Sequence, residues 1–285
     1  MITTAFPRGV IRMNDPTPAS YDPGRDSEAR GAGPGDSAGV PWSGRELTGT
    51  GFDGDLGAGD PALMAALDVP QDETQLMAAV ARARLLVPVV AVPRQCDDPA
   101  DDPADDSAGG SDHVSTHTDS TDLAVVTLTA PDGQRAFPVF SSLATLTAWD
   151  PTARPSPVTS SRAAQGAVTE RCDVMLLDCG SSRETVLRPS MVWALAQERD
   201  WLPAHTDPFV AQSLLRATAD EEDVLGCIGE GDTAGAGILT VVLSLRAGLD
   251  AAQVQALATR IGERIATDGE ARARIDGLSF TIRQA

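Results

Sequence analysis

Apolar positions along this chain recur with two periods, and the switches between them mark the elements. Leu76, Met77, Val80 and Ala83 stand at helical spacing behind Asp72, with Gln75 three residues on as a loose capping-box pair. An unbroken apolar run then follows from Leu85 to Val92, which predicts a strand buried on both faces. Pro88 within it has no N–H for a ladder and so predicts an edge position or a bulge. Residues 123–129 and 135–140 predict a hairpin about Pro131-Asp132-Gly133, where proline presets φ and glycine accepts a positive one. Ser141 or Ser142 caps a helix through Trp149, after which Pro151, Pro155 and Pro157 hold the chain extended. An Ala-rich helix is expected over 160–169, and a second hairpin joins 174–177 to 185–187 about Asp178 to Ser182.

Asp60-Pro61 and Asp207-Pro208 each read as a helix start, because Asp caps and Pro suits the first helical position. Pro189 opens a further helix through Gln197 with Val192, Trp193 and Leu195 inward. Near the end, 224–228 and 238–245 predict strands, and Asp250 caps a long helix with Val254, Leu257, Ile261 and Ile265 on one face. Gly269 fits a helix stop, and Leu278, Phe280 and Ile282 alternate in a last strand. The fold class is therefore α+β. A mixed domain with hairpins and flanking helices covers 42–206, and a smaller β-β-α-β unit covers 207–285.

Two stretches fall outside this patterning. Residues 1–41 are rich in Pro, Gly, Asp and Ser and bury too little to offset their ordering entropy, so a disordered tail is expected. Residues 96–122 hold a DDPA repeat and read as a disordered acidic loop between two strands. The net charge is −19, and nine of the acidic groups are aspartates between Asp97 and Asp122, which leaves −10 on the rest. Such a surface repels phosphate backbones and anionic headgroups, which argues against nucleic-acid or membrane partners. No apolar run approaches the roughly 18–20 residues that span a bilayer, and the first residues lack the pattern of a signal peptide. Cys96, Cys172, Cys179 and Cys227 are scattered, as suits reduced thiols in the cytoplasm.

Each chemical candidate has a plainer reading beside it. His113 and His117, four apart with Asp112 and Asp119 nearby, would ligate zinc on a helix, but their polar surroundings favour a chance pair in a loop. The paired aspartates lack the spacing and closing Glu of a calcium loop. Cys179 opens the turn Cys179-Gly180-Ser181-Ser182-Arg183, where turn amides and Arg183 would activate a thiolate for sulfur transfer. A sulfur-transfer loop should lead into a helix, whereas Thr185-Val186-Leu187 reads as a strand, which favours a plain hairpin cysteine. His205 is the one histidine outside the acidic loop, no G-x-S-x-G elbow exists, and His205 reads as a surface or capping residue. The 229–235 stretch, GEGDTAG, lacks the lysine of a phosphate loop and precedes a strand, so it reads as a connector. Ser141-Ser142 fits simple N-capping better than anion binding. Trp149, Trp193 and Trp201 would anchor a partner but also suit a core, and Arg135, Arg154 and Arg188 would form a basic patch if they meet in space.

The order of LLVPVVAV, TAPDGQRAFPVFSSLATLTAW, ARPSPV, DVMLLD and VLRPSMVWALAQ resembles the SseB-like family (enhanced serine sensitivity protein, N-terminal domain). WSGREL and FDGDLGAGDPALMAAL are similar to the lead-in of its actinobacterial members. The likeness covers about 42–96 and 123–205, with a weaker one after Asp207, and the acidic loop departs from the family's short connection. The resemblance implies an α+β cytosolic domain without assigned catalytic residues, so it carries no site over. The expectation is a non-enzymatic cytoplasmic interaction or regulatory module with an unknown protein partner and without cofactor or metal. The alternatives are a thiol enzyme using Cys179 with Arg183, and a small-ligand sensor with its pocket between the two units.

Overall fold

The computed structural model of the chain describes residues 8–10, 51–93, 121–231 and 236–284. Within the expected disordered tail, Arg8–Val10 forms a strand, which corrects that expectation for these three residues. The rest of the tail, most of the acidic loop with Cys96, His113 and His117, and the centre of the 229–235 connector lie outside the described residues. Among the described residues, those from Gly57 onward cluster with Arg8–Val10 as one compact unit.

The caps lie where short carboxylates and hydroxyls placed them. Asp60 Oδ1 accepts the N–H groups of Ala62 at 2.8 Å and Leu63 at 3.0 Å and starts α1 (Pro61–Leu67). Asp72 accepts from Gln75 N–H and starts α2 (Glu73–Arg82), whose Leu76, Met77 and Val80 are buried as their spacing predicts. Ser142, not Ser141, caps α3 (Leu143–Trp149) and exchanges capping bonds with Thr145. Thr159 caps α4 (Ser160–Thr169), and Pro189 opens α5 (Pro189–Ala196).

The larger sheet runs β5-β2-β3-β4-β6-β7, with β1 (Arg8–Val10) added to β3. Its strands are β2 (Arg84–Pro93), β3 (Thr121–Thr129), β4 (Arg135–Val139), β5 (Arg154–Thr159), β6 (Val174–Leu177) and β7 (Thr185–Leu187). β3 starts at Thr121, so the last two residues expected in the acidic loop already belong to the ladder. β2 is an internal strand, paired with β5 on one side and with β3 on the other, which corrects the edge position expected from Pro88. Leu86 exchanges both backbone bonds with Phe140, so by alternation Pro88 turns its nitrogen to the same side. There the neighbour changes from Phe140 to β3, and the missing donor falls between two ladders. The proline-rich stretch becomes the edge strand β5, with Pro155 opposite Pro88 and Pro157 opposite Leu86.

Alternation sorts the strands onto two faces. Phe137, Val139, Met175 and Leu177 face a core built with Leu63 of α1, Leu76 and Val80 of α2, Ala163 and Ala167 of α4, and Met191 and Leu195 of α5. Ala136, Val174 and Leu176 join Val126 and Leu128 in a cluster on the opposite face, and beside it Leu86 and Phe140 pack on Leu146 of α3. Phe140 and Trp149 stack at 5.2 Å between ring centroids. Trp193 does not point inward as expected; it is 41% exposed. Met191, Val192 and Leu195 already fill the inner side of α5, and at about 100° per residue Trp193 lies nearly opposite them.

The carboxyl-terminal part holds α6 (Pro208–Thr218), β8 (Val224–Gly231), β9 (Ile238–Leu245), α7 (Ala251–Thr267), α8 (Gly269–Arg274) and β10 (Gly277–Gln284). β9 is the central strand, antiparallel to β8 and parallel to β10. Leu239, Val241, Leu243 and Leu245 bury one face of it against Val210 and Leu214 of α6 and Leu257, Ile261 and Ile265 of α7. Phe280 and Ile282 pack on this core, while Leu278 of the same face stays exposed. The long helix ends at Thr267 with Asp268 as its C-cap, just before Gly269 as expected. The Asp268 carboxylate accepts Ala271 N–H to begin the short helix α8 at Gly269, which the pattern did not predict. Bonds from Ser213 Oγ first, and then from Arg216, hold the Asp268 carboxyl below its usual range.

Candidate functional site

Helix α5 starts without a cap of its own. Arg188 occupies the N-cap position, and its side chain makes no capping bond. The cap comes from the other end of the chain. Asp276, just before β10, accepts Ser190 N–H on Oδ1 at 2.7 Å and Ser190 Oγ–H on Oδ2 at 2.8 Å. Asp276 Oδ2 also accepts Arg188 Nε–H at 2.9 Å. The two Nη groups of Arg188 donate to both oxygens of Glu73 at the start of α2. Trp201 Nε1–H donates to Ser190 Oγ at 3.0 Å, and the Arg188 guanidinium lies over its ring at 5.8 Å. Hydrogen bonding to Glu73 first, with burial opposing and Asp276 adding, holds the Arg188 pKa well above its ordinary value.

This network borders a cleft of about 610 Å³. One wall is Gln71 to Thr74, Arg188, Ser190 and Trp201; the other is Gly231, Gly237 to Leu239, Arg274 and Asp276, with Pro203 to His205 between them. The glycines flanking the 232–235 connector are needed for close approach. A Cβ on Gly231 would run into the His205 ring, and one on Gly237, where φ is +77°, would run into the Arg188 side chain. Arg274 Nη1–H donates to Asp207 at 2.9 Å, its guanidinium stacks at 4.9 Å on Phe209, and its buried Nε has no partner among the described residues.

Residues 60–194 match the SseB protein N-terminal domain family. No curated protein and no solved structure matches the chain. The match runs from the cap of α1 into α5, so Glu73, Arg188 and Ser190 stand within the matched segment, whereas His205, Gly237, Arg274 and Asp276 come from beyond it. The cleft is thus lined by residues of the matched segment and by residues that follow it. In the sequence, an arginine at the N-cap before Pro189 is the signal that a cap must be supplied from elsewhere.

Of the residues singled out by sequence, Arg188, Trp201 and His205 meet at the cleft, and the other described ones lie apart from it. Cys179 sits in the β6–β7 turn, half-buried against the cluster that holds Trp149, and β7 rather than a helix follows it. Arg183 of that turn donates to Asp68 at 2.7 Å, which raises its pKa. The neighbour Asp178 is buried and takes Ser141 and Thr145. Arg135 begins β4, Arg154 begins β5, and Arg188 is committed to Glu73 and Asp276. Trp201 is buried in the first core; of the connector expected over 229–235, Gly229 to Gly231 instead belong to β8 and pair with β9, the strand that follows. Among the described residues no group of three or more His, Cys, Asp or Glu stands together for a metal, and the described cysteines form no disulfide.

Burial pushes the Cys172 and Cys227 thiols up to about 11; at Cys172 Arg135 opposes the burial in part. At about pH 7.5 both are expected to alkylate with iodoacetamide roughly a hundredfold or more slowly than an ordinary thiol. The thiolate fraction grows tenfold per pH unit, so their rates rise until about pH 11. Mass-spectrometric time courses check this, and rates like those of a free thiol at either site would refute it.

Proposed function

We propose that this chain is a non-enzymatic regulatory module of the cytoplasm that binds a small polar ligand in the cleft between its SseB-like domain, 42–206, and its carboxyl-terminal unit, 207–285. The cleft carries the reading. Its volume of about 610 Å³ falls in the range of small-molecule sites, and both parts contribute its walls. The charged groups around it are tied to one another, Arg188 to Glu73 and Asp276 and Arg274 to Asp207. That arrangement suits holding a ligand and reporting its presence better than proton transfer, which needs a group poised to change its charge. Among the described residues no helix is long and apolar enough to cross a membrane.

A thermal-shift screen across classes of polar metabolites tests the reading. One class is expected to raise the melting temperature in proportion to the logarithm of its concentration. Thr74→Trp adds bulk to the lining from the first turn of α2, and it is expected to abolish that shift while changing the ligand-free stability by less than about 1 kcal/mol. If no class moves the melting point, or the variant responds like the wild type, the cleft is not the site.

A protein partner is the second reading, and Trp193 is the observation that favours it. Its exposed ring shares a crevice with Leu202, also exposed, beside the cleft. Crosslinked capture with Trp193→Ala beside the wild type separates the readings: a partner held there is lost in the variant, whereas a ligand shift is retained.

A further inference from the structure

We propose that the carboxyl-terminal unit is latched to the SseB-like domain through Asp276 and swings about 202–206 to open and close the cleft. This goes beyond the binding reading and holds whether or not a ligand exists.

The two apolar cores do not merge. The first ends in sequence at Trp201 and the second begins at Val210. Polar contacts make the join: Asp276 on Arg188 and Ser190, and the exposed pair Arg199–Glu270 at 2.9 Å. Where α5 and α8 face each other, Trp193 and Ala194 share a crevice with Glu270, Ala273 and Arg274. Separating ion pairs returns charged groups to water that solvates them, whereas separating an apolar interface exposes surface that water solvates poorly. The chain between the parts is anchored at both ends. Trp201 is fixed to the SseB-like side by burial and by Ser190. Asp207 is fixed to the other side by capping α6 and by Arg274. Between them Pro203 O accepts the N–H groups of Thr206 and Asp207, a turn of the kind that absorbs hinge motion.

Opening removes the one carboxylate that caps α5 and leaves Arg188 with Glu73, so it shows first at the start of α5. The test is hydrogen exchange on the full chain. Asp276→Asn removes the charge and keeps the shape. In that variant, peptides covering 188–193 and 270–276 are expected to exchange about tenfold faster, while β6 and β9 stay protected as in the wild type. Glu270→Gln cuts the exposed pair, poses little risk to folding, and is expected to give a smaller rise in the same peptides. Unchanged exchange at 188–193 in both variants overturns the latch. So does a joint loss of protection in β6 and β9, which marks one cooperative body.

Discussion

Asp178→Ala is expected to lower the stability of the protein by about 3–5 kcal/mol, the largest single effect in the molecule apart from deletions of its core. The carboxylate is fully buried at the end of β6 and holds three donors: Ser141 N–H at 2.8 Å, Ser141 Oγ–H at 2.7 Å and Thr145 Oγ1–H at 3.0 Å. Its own N–H donates to Val139 O at 2.9 Å. One side chain therefore fastens the β6–β7 turn to the start of α3. Alanine leaves the Ser141 amide buried without an acceptor and the hydroxyl with only the weak acceptor Met64 Sδ at 3.5 Å, and burying poorly paired donors costs more than the bonds were worth. The backbone adds to the loss, because Asp178 has φ of +53° and alanine tolerates the left-handed region poorly. Asparagine tolerates that region and keeps one acceptor, so Asp178→Asn is expected to cost less than half as much. Urea unfolding followed by circular dichroism measures both. An alanine variant within about 1 kcal/mol of the wild type would show that the buried bonds contribute little net stability.

Arg188→Ala is expected to cost about 2–4 kcal/mol by leaving Glu73 and Asp276 without their shared cation. The side chains are 16% exposed for Arg188 and 10% for Asp276, so water replaces the lost partner poorly. Arg188→Lys is expected to recover less than half of that loss. The planar guanidinium serves Glu73 with two Nη groups and Asp276 with Nε at the same time, and an ammonium at the end of a flexible stem does not reproduce that fork. Removing Glu73 as well, in Arg188→Ala with Glu73→Ala, should recover part of the loss, because the stranded carboxylate is gone. Melting curves of the four proteins check the series. A lysine variant as stable as the wild type would reduce the arrangement to simple charge pairing.

The sequence by itself determined the elements. Asp60, Asp72, Ser142, Asp207 and Asp250 cap helices within three residues of themselves, and a local rule needs nothing from the rest of the chain. The period of Leu76, Met77 and Val80, and of Leu257, Ile261 and Ile265, fixed the buried faces for the same reason. Where the neighbourhood was not local, the pattern misled. Pro88 sits in an internal strand because two ladders meet at its nitrogen, and Trp193 faces solvent because its neighbours filled the inner side of α5. α8 follows α7 at once because Asp268, held from a distance by Ser213 and Arg216, caps it.

The cleft was not legible at all beyond its expected place between two parts. Arg188 lies 115 residues from Glu73 and 88 from Asp276, and nothing in the residues flanking either acid marks it as a partner. Caps and periods are set by bonds a few residues long, which sequence spacing records directly. The latch, the walls of the cleft and the buried acceptor at Asp178 depend on which strands and helices come to lie side by side, and only the packed tertiary structure decides that.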